Sequence, residues 1–140
     1  MAVRNRHDVS EGEQFGPVTV PVDRAALVAY ANASGDQNPI HQDNDYATNV
    51  GLPGVIAHGM WTLGATTTAA AQWVGDAGRV RSVSTRFTAM VPVPEEGTEL
   101  EVTGVVSTVD PEIGRATLDL TTTHAGQQVL GRCTAVVALD

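Results

Sequence analysis

Residues 58–75, HGMWTLGATTTAAAQWVG, constrain the fold more than any other stretch of this chain. They read as one long helix, and Gly64, Ala65, Ala69, Ala70 and Ala71 leave it little side-chain bulk. Such a helix approaches a sheet closely or lies enclosed by it. Thr66, Thr67 and Thr68 lower its intrinsic propensity, so packing against another element must hold it. That element follows at once, because the apolar pattern then switches to period two. Val83, Thr85, Phe87, Ala89 and Val91 fall on one face of a strand. ELEVTGVVSTV (99–109), RATLDLTTT (115–123) and VLGRCTAVVAL (129–139) are three further strands, with DPEIG and AGQ as turns. Long strands joined by short turns imply an antiparallel meander. The expectation is an α+β fold, one sheet wrapped on one long helix.

Upstream of the helix, FGPVTVPV (15–22) alternates and carries prolines at both ends, as an edge strand does. Asp23 can cap a helix over residues 24–34, with Leu27, Ala31 and Ser34 along one side and Gly35 as its stop. DNDYATNVG reads as a short helix capped by Asp43 or Asn44. No repeat or linker interrupts the chain, and residues 1–140 read as a single domain of a size that one core serves.

Composition removes several function classes. The net charge is −8, and all eight basic residues are Arg. A nucleic-acid binder needs a basic footprint, and an anionic membrane surface needs the same. The one cysteine, Cys133, forms no internal disulfide and sits in a strand-like run, which suits an inert buried thiol. The first residues, MAVRNRHDVSEGEQF, hold no apolar targeting segment, and no apolar run reaches membrane-spanning length. A cytoplasmic location is expected.

Chemistry concentrates in SGDQNPIH, residues 34–41. Asp36, Asn38 and His41 stand there around Pro39, which fixes its own φ and pushes Asn38 toward extended backbone. A carboxylate beside an imidazole makes a general acid/base pair at neutral pH, and the amide can orient groups without competing for protons. The same residues are also ordinary turn formers, so turn chemistry alone would account for the string. AHGM adds a second feature, because His58 and Gly59 stand at the start of the long helix. The first N–H groups there lack intrahelical partners, and Gly59 lets a ligand oxygen reach the backbone. His41, Asp43 and His58 have ligand chemistry, but no metal-binding spacing is present. Ser34 has no nucleophile-elbow context.

YANASGDQNPIHQD resembles the hydratase motif of the MaoC-like, or R-specific enoyl hydratase, family: Asp36, then Asn38, Pro39, Ile40 and His41. GLPGVIAHGMWTLG and RFTAMVPVPEEGTELEVTGVV are similar to two further blocks of that family. The finer likeness is to the catalytic subunits of actinobacterial (3R)-hydroxyacyl-ACP dehydratases. The resemblance implies a single MaoC-like hot-dog domain, the long helix wrapped by the sheet. It implies dimers joined sheet edge to sheet edge, as homodimer or as heterodimer with a related subunit. It implies Asp36 and His41 as the catalytic pair and the Gly59 N–H as the donor to the thioester carbonyl. Asn38 and His58 stand beside them as substrate-binding candidates, and Trp61, where a smaller aliphatic residue is expected, as a limit on the acyl pocket.

The implied reaction is reversible hydration of a trans-2-enoyl-CoA or -ACP to the (3R)-3-hydroxyacyl thioester. It needs no metal or redox cofactor; CoA or phosphopantetheine enters as part of the substrate. Arg79 and Arg81, two apart at a strand start, are candidates for the phosphate of that handle. An acyl thioesterase using Asp36 and a non-catalytic partner subunit are the alternatives. No nucleic-acid or membrane partner is expected.

Overall fold

The computed structural model describes residues 2–140. The chain runs β1 (Gln14–Val22), α1 (Arg24–Ser34), a 3₁₀ turn (Pro39–His41), α2 (Asn44–Asn49) and α3 (Gly59–Val74). A second 3₁₀ turn (Ala77–Arg79) leads to β2 (Val80–Phe87), β3 (Thr98–Asp110), β4 (Arg115–His124), the short β5 (Gln127–Gln128) and β6 (Leu130–Ala138). All pairings are antiparallel, in the order β1-β3-β4-β6-β2, with β5 on the edge of β4. This is the α+β hot-dog arrangement, a sheet curled on α3. No helix among the described residues is long and apolar enough to cross a membrane.

The helix ends follow local chemistry. Asp23 Oδ1 accepts the Ala26 N–H at 2.7 Å, and Gly35 closes α1 at φ 83°. Asp43, not Asn44, caps α2, by accepting the Tyr46 N–H. α3 turns Thr62, Thr66, Ala69, Ala70, Trp73 and Val74 inward, so close approach to the sheet is what its small residues provide. It is not fully enclosed, because Met60, Gly64, Thr68 and Gln72 form an exposed stripe at four-residue spacing. The core between α3 and the sheet is built from Leu100, Leu118, Leu120, Leu130 and many valines. Phe15 stacks on Trp73 at 5.3 Å, and Arg4 lies over the Trp73 ring. Gly104 of β3 has no side chain because one would run into the Phe15 ring.

Two expectations about the strands need correction. The strands do not form a simple meander: β2 pairs with β6 at the far edge and not with its successor β3. The residues between them, 88–97, carry the chain across the sheet and are pinned by an Ile56–Pro92 bridge. The expected face from Val83 to Val91 also fails. β2 shifts register twice and stops at Phe87, which is 54% exposed, while Val91 is buried in the crossing segment. Cys133 is buried as expected; desolvation pushes its thiol up against a lowering hydrogen bond from Thr85.

Candidate active site

The turn chemistry of residues 34–41 builds the site. Ser34 Oγ accepts the Asp36 N–H, Asp36 Oδ1 accepts the Asn38 N–H, and Asn38 Oδ1 accepts the Ile40 N–H. Each short polar side chain holds the backbone two residues on. Pro39 then starts the 3₁₀ turn, which delivers His41 inward while Asp36 and Asn38 stay at the surface. The two readings of this string are one: the turns position the pair. Asn38 spends its carboxamide oxygen on the turn, so the structure gives it a backbone role, and no substrate-facing one is needed to explain it.

His41 is buried, and its Nδ1–H donates to the Ile56 carbonyl at 2.7 Å. A carbonyl only accepts, so the proton sits on Nδ1 and Nε2 is left as the basic nitrogen. His58 stacks on His41, ring centroids 3.7 Å apart. Its Nε2–H donates to the Asp36 backbone carbonyl at 3.1 Å, and Tyr30 meets its other side edge-on. His58 Nδ1 is buried without a partner among the described residues. His58 therefore ties the loop bearing the carboxylate to the His41 ring. It does so from within the protein, being 2% exposed.

The nearest ligand-type atoms of Asp36, His41 and His58 lie within 4.8 Å of one another. The stacked imidazoles hold their lone pairs in nearly parallel planes, with the Asp36 carboxylate beside them. Asp43 is occupied as the α2 cap.

At the start of α3, the Trp61 and Thr62 N–H groups both donate to the His58 carbonyl. The Gly59 and Met60 N–H groups find no acceptor among the described residues, and the His58 side chain makes no cap bond. These are open donors at the positive end of a 16-residue helix. Gly59 does not need positive φ. A Cβ there would stand 2.9 Å from Cδ1 and Cε1 of Phe87, so the ring of Phe87 claims that space. His41, Gly59, Thr62, Phe87, Val129 and Leu130 line one cavity of about 320 Å³, apolar apart from a few groups. Phe87 and Thr62 were not foreseen as site residues. The signal was the glycine at 59, but its partner is 28 positions away and invisible to any local pattern.

Trp61 is not on that cavity. It lines a separate groove of about 550 Å³ with Tyr30, Met60 and β1. Arg79 and Arg81 are not brought to the site within this chain either. They stand past the C-terminal end of α3, about 24 Å of helix from Gly59. Arg79 lies in a 3₁₀ turn and pairs with Asp76, so strand alternation does not relate it to Arg81. Arg81 donates to the Gly78 carbonyl.

Comparison with known proteins agrees with this geometry. A chain described as a MaoC-like dehydratase superposes with a TM-score of 0.95 at 32% identity, over 99% of this chain and 43% of that one. The unliganded R-hydratase PhaJ1 from Pseudomonas aeruginosa superposes with a TM-score of 0.83 at 28% identity, over 99% and 87%. Peroxisomal enoyl-CoA hydratase 2 of Arabidopsis thaliana is 39% identical over 78 residues, 53% of this chain and 25% of that protein. The chain spans 25% of that hydratase and 3–5% of fungal fatty acid synthase β subunits to which it is also similar. A family model described as MaoC like domain matches residues 8–125, which is most of the chain, and the protein belongs to that family.

Proposed function

We propose that this chain adds water reversibly across the double bond of a trans-2-enoyl thioester, giving the (3R)-3-hydroxyacyl thioester. The observation that carries the proposal is the convergence of a free imidazole nitrogen, a carboxylate and an open pair of helix N–H groups. One apolar cavity holds the imidazole and the helix start, and the carboxylate stands next to the imidazole. The substrate carbonyl accepts from the Gly59 N–H, where the helix end stabilises the negative charge that develops on oxygen. His41 Nε2 takes a proton from a water shared with Asp36, and that water attacks C3. Asp36, entering the step as the carboxylic acid, supplies the proton to C2 from the same face, and the proton taken by His41 then passes to Asp36 and restores both groups. The two groups stand close enough to act on one water together. Atoms and charge balance without a metal or redox cofactor. The R hand follows the R-hydratase named above, and the thioester is carried on CoA or a carrier-protein pantetheine.

The working unit is proposed to be a dimer joined through the β2 edge. The other edge, β1, is blunted by Pro17 and Pro21, which donate no ladder hydrogen bond. β2 carries no proline and ends in the exposed Phe87, close to the cavity mouth. Pairing there would shield both.

The deciding experiment is incubation with crotonyl-CoA under two readouts. Loss of enone absorbance with no thiol freed is the expected result. Thiol release with the enone intact would mean a thioesterase, and neither change at any chain length would mean a non-catalytic partner subunit.

A further inference from the structure

The cavity at His41 touches α3 over a short stretch. Of the α3 residues only Gly59 and Thr62 line it, a span of three residues or about 4.5 Å. Behind its inner wall lies an unusual layer. Thr66 and Thr122 are both fully buried, and their hydroxyls meet at 2.6 Å between helix and sheet. Thr66 Oγ1 also donates to the carbonyl of Thr62, a lining residue. The carbonyl of Thr122 accepts the N–H of Val129, another lining residue. The pair is thus bonded directly to two residues of the cavity wall, one on each side.

Packing alone does not ask for two hydroxyls there, since valine fills the same volume. A mutual hydrogen bond, with a further bond to the helix backbone, locks both side chains in single rotamers. An apolar floor of leucines or methionines yields to a long ligand by changing rotamer. A bonded threonine pair yields only by leaving two buried polar groups unpaired, which is costly.

On the hydratase reading above, we infer that the Thr66–Thr122 pair is the floor of the acyl site and restricts this chain to short enoyl groups of about four to six carbons. Two estimates point the same way. A C–C bond of about 1.5 Å advances an extended chain by roughly 1.3 Å, so the stretch of about 4.5 Å that the cavity shares with α3 runs alongside three or four carbons beyond the carbonyl. At about 30 Å³ for each water-sized group, the 320 Å³ cavity holds roughly ten. A six-carbon enoyl thioester head with its attacking water fills that space, and a ten-carbon one exceeds it.

The test measures kcat/KM for crotonyl-, hexenoyl- and decenoyl-CoA with the wild type and with Thr66→Ala/Thr122→Ala. The wild type is expected to lose at least about tenfold from hexenoyl to decenoyl, in the range set by misfit groups in an apolar pocket. The double variant should recover most of that ratio. Thr66→Ser/Thr122→Ser keeps the hydrogen bond, removes two methyl groups and serves if the alanine variant fails to fold; it should shift the ratio the same way by less. Decenoyl-CoA turned over as well as hexenoyl-CoA by the wild type would overturn the floor. So would an unchanged ratio in a folded variant. The hydratase reading fails separately, by the absence of hydration at every chain length. In that case calorimetric binding of saturated butyryl- and decanoyl-CoA decides the floor, with no preference for the shorter chain overturning it.

Discussion

His41 uses its two nitrogens for different tasks. Nδ1 is committed to the Ile56 carbonyl inside the protein, and Nε2 is left for chemistry. Asp36 has no such anchor in the core; it is exposed and held by its own turn. The two residues proposed as the catalytic pair should therefore separate in stability. His41→Gln removes a buried hydrogen-bonded ring and should cost about 1–3 kcal/mol, read by denaturant unfolding. Asp36→Asn should change stability by less than about 0.5 kcal/mol, as surface substitutions do. Equal losses in both would mean that the His41–Ile56 bond does not hold the ring. Gly59 gives a second residue-scale prediction. Gly59→Ala should cost about 1–3 kcal/mol by overpacking against Phe87. In a Phe87→Ala background the same change should cost at least about 1 kcal/mol less, a coupling that unfolding of the four variants measures. Additive costs would place the constraint at Gly59 elsewhere.

At the scale of elements, α3 divides the surface near the site in two. The cavity with His41 lies to one side, and the groove with Trp61 and Tyr30 to the other. Trp61 draws attention in the sequence by size, yet the structure sets it apart from the reacting groups. Trp61→Ala should leave the ratio of crotonyl to hexenoyl kcat/KM within about twofold, whereas a shift toward longer chains would make its groove part of the acyl site. The elements show what the sequence makes legible and what it does not. α1 and α3 were readable to within a residue, because Asp23, Gly35 and Gly75 are local punctuation whose chemistry does not depend on the rest of the fold. The closeness of Asp36 and His41 was readable because their placement is also local, a chain of side-chain-to-backbone turns ending in Pro39. The strand order was not readable. Which edge accepts β2 depends on the path of residues 88–97 across the sheet, and nothing in the alternation of β2 encodes its partner. The histidine stack and the Phe87–Gly59 contact escaped for the same reason, since each joins segments that only the finished fold brings together.

The whole molecule carries one sheet whose strand path ends at β1 and β2, and prolines interrupt the first edge but not the second. A chain of net charge −8 resists indiscriminate association, so a dimer must come from a specific edge. Sedimentation at micromolar concentration should show a dimer, either of this chain alone or on addition of a related hot-dog subunit. A monomer under both conditions would remove the β2 edge as an interface. Pairing there would also complete the shelter of a cavity whose mouth is rimmed by the exposed Phe87 and Met90, so that dimerisation and activity should rise together with protein concentration.

The central claim is that Asp36 and His41 act as one unit on one water at a carbonyl held by the start of α3. The most direct measurement is kcat for hydration of crotonyl-CoA by the wild type, Asp36→Asn, His41→Gln and the double variant. Each single change should lower kcat by at least about a hundredfold, the scale of a general acid/base. The double variant should fall little further than either, since groups that work as a unit are not additive. A near-normal kcat in either single variant would contradict the assignment, and strictly multiplicative losses would contradict the shared water.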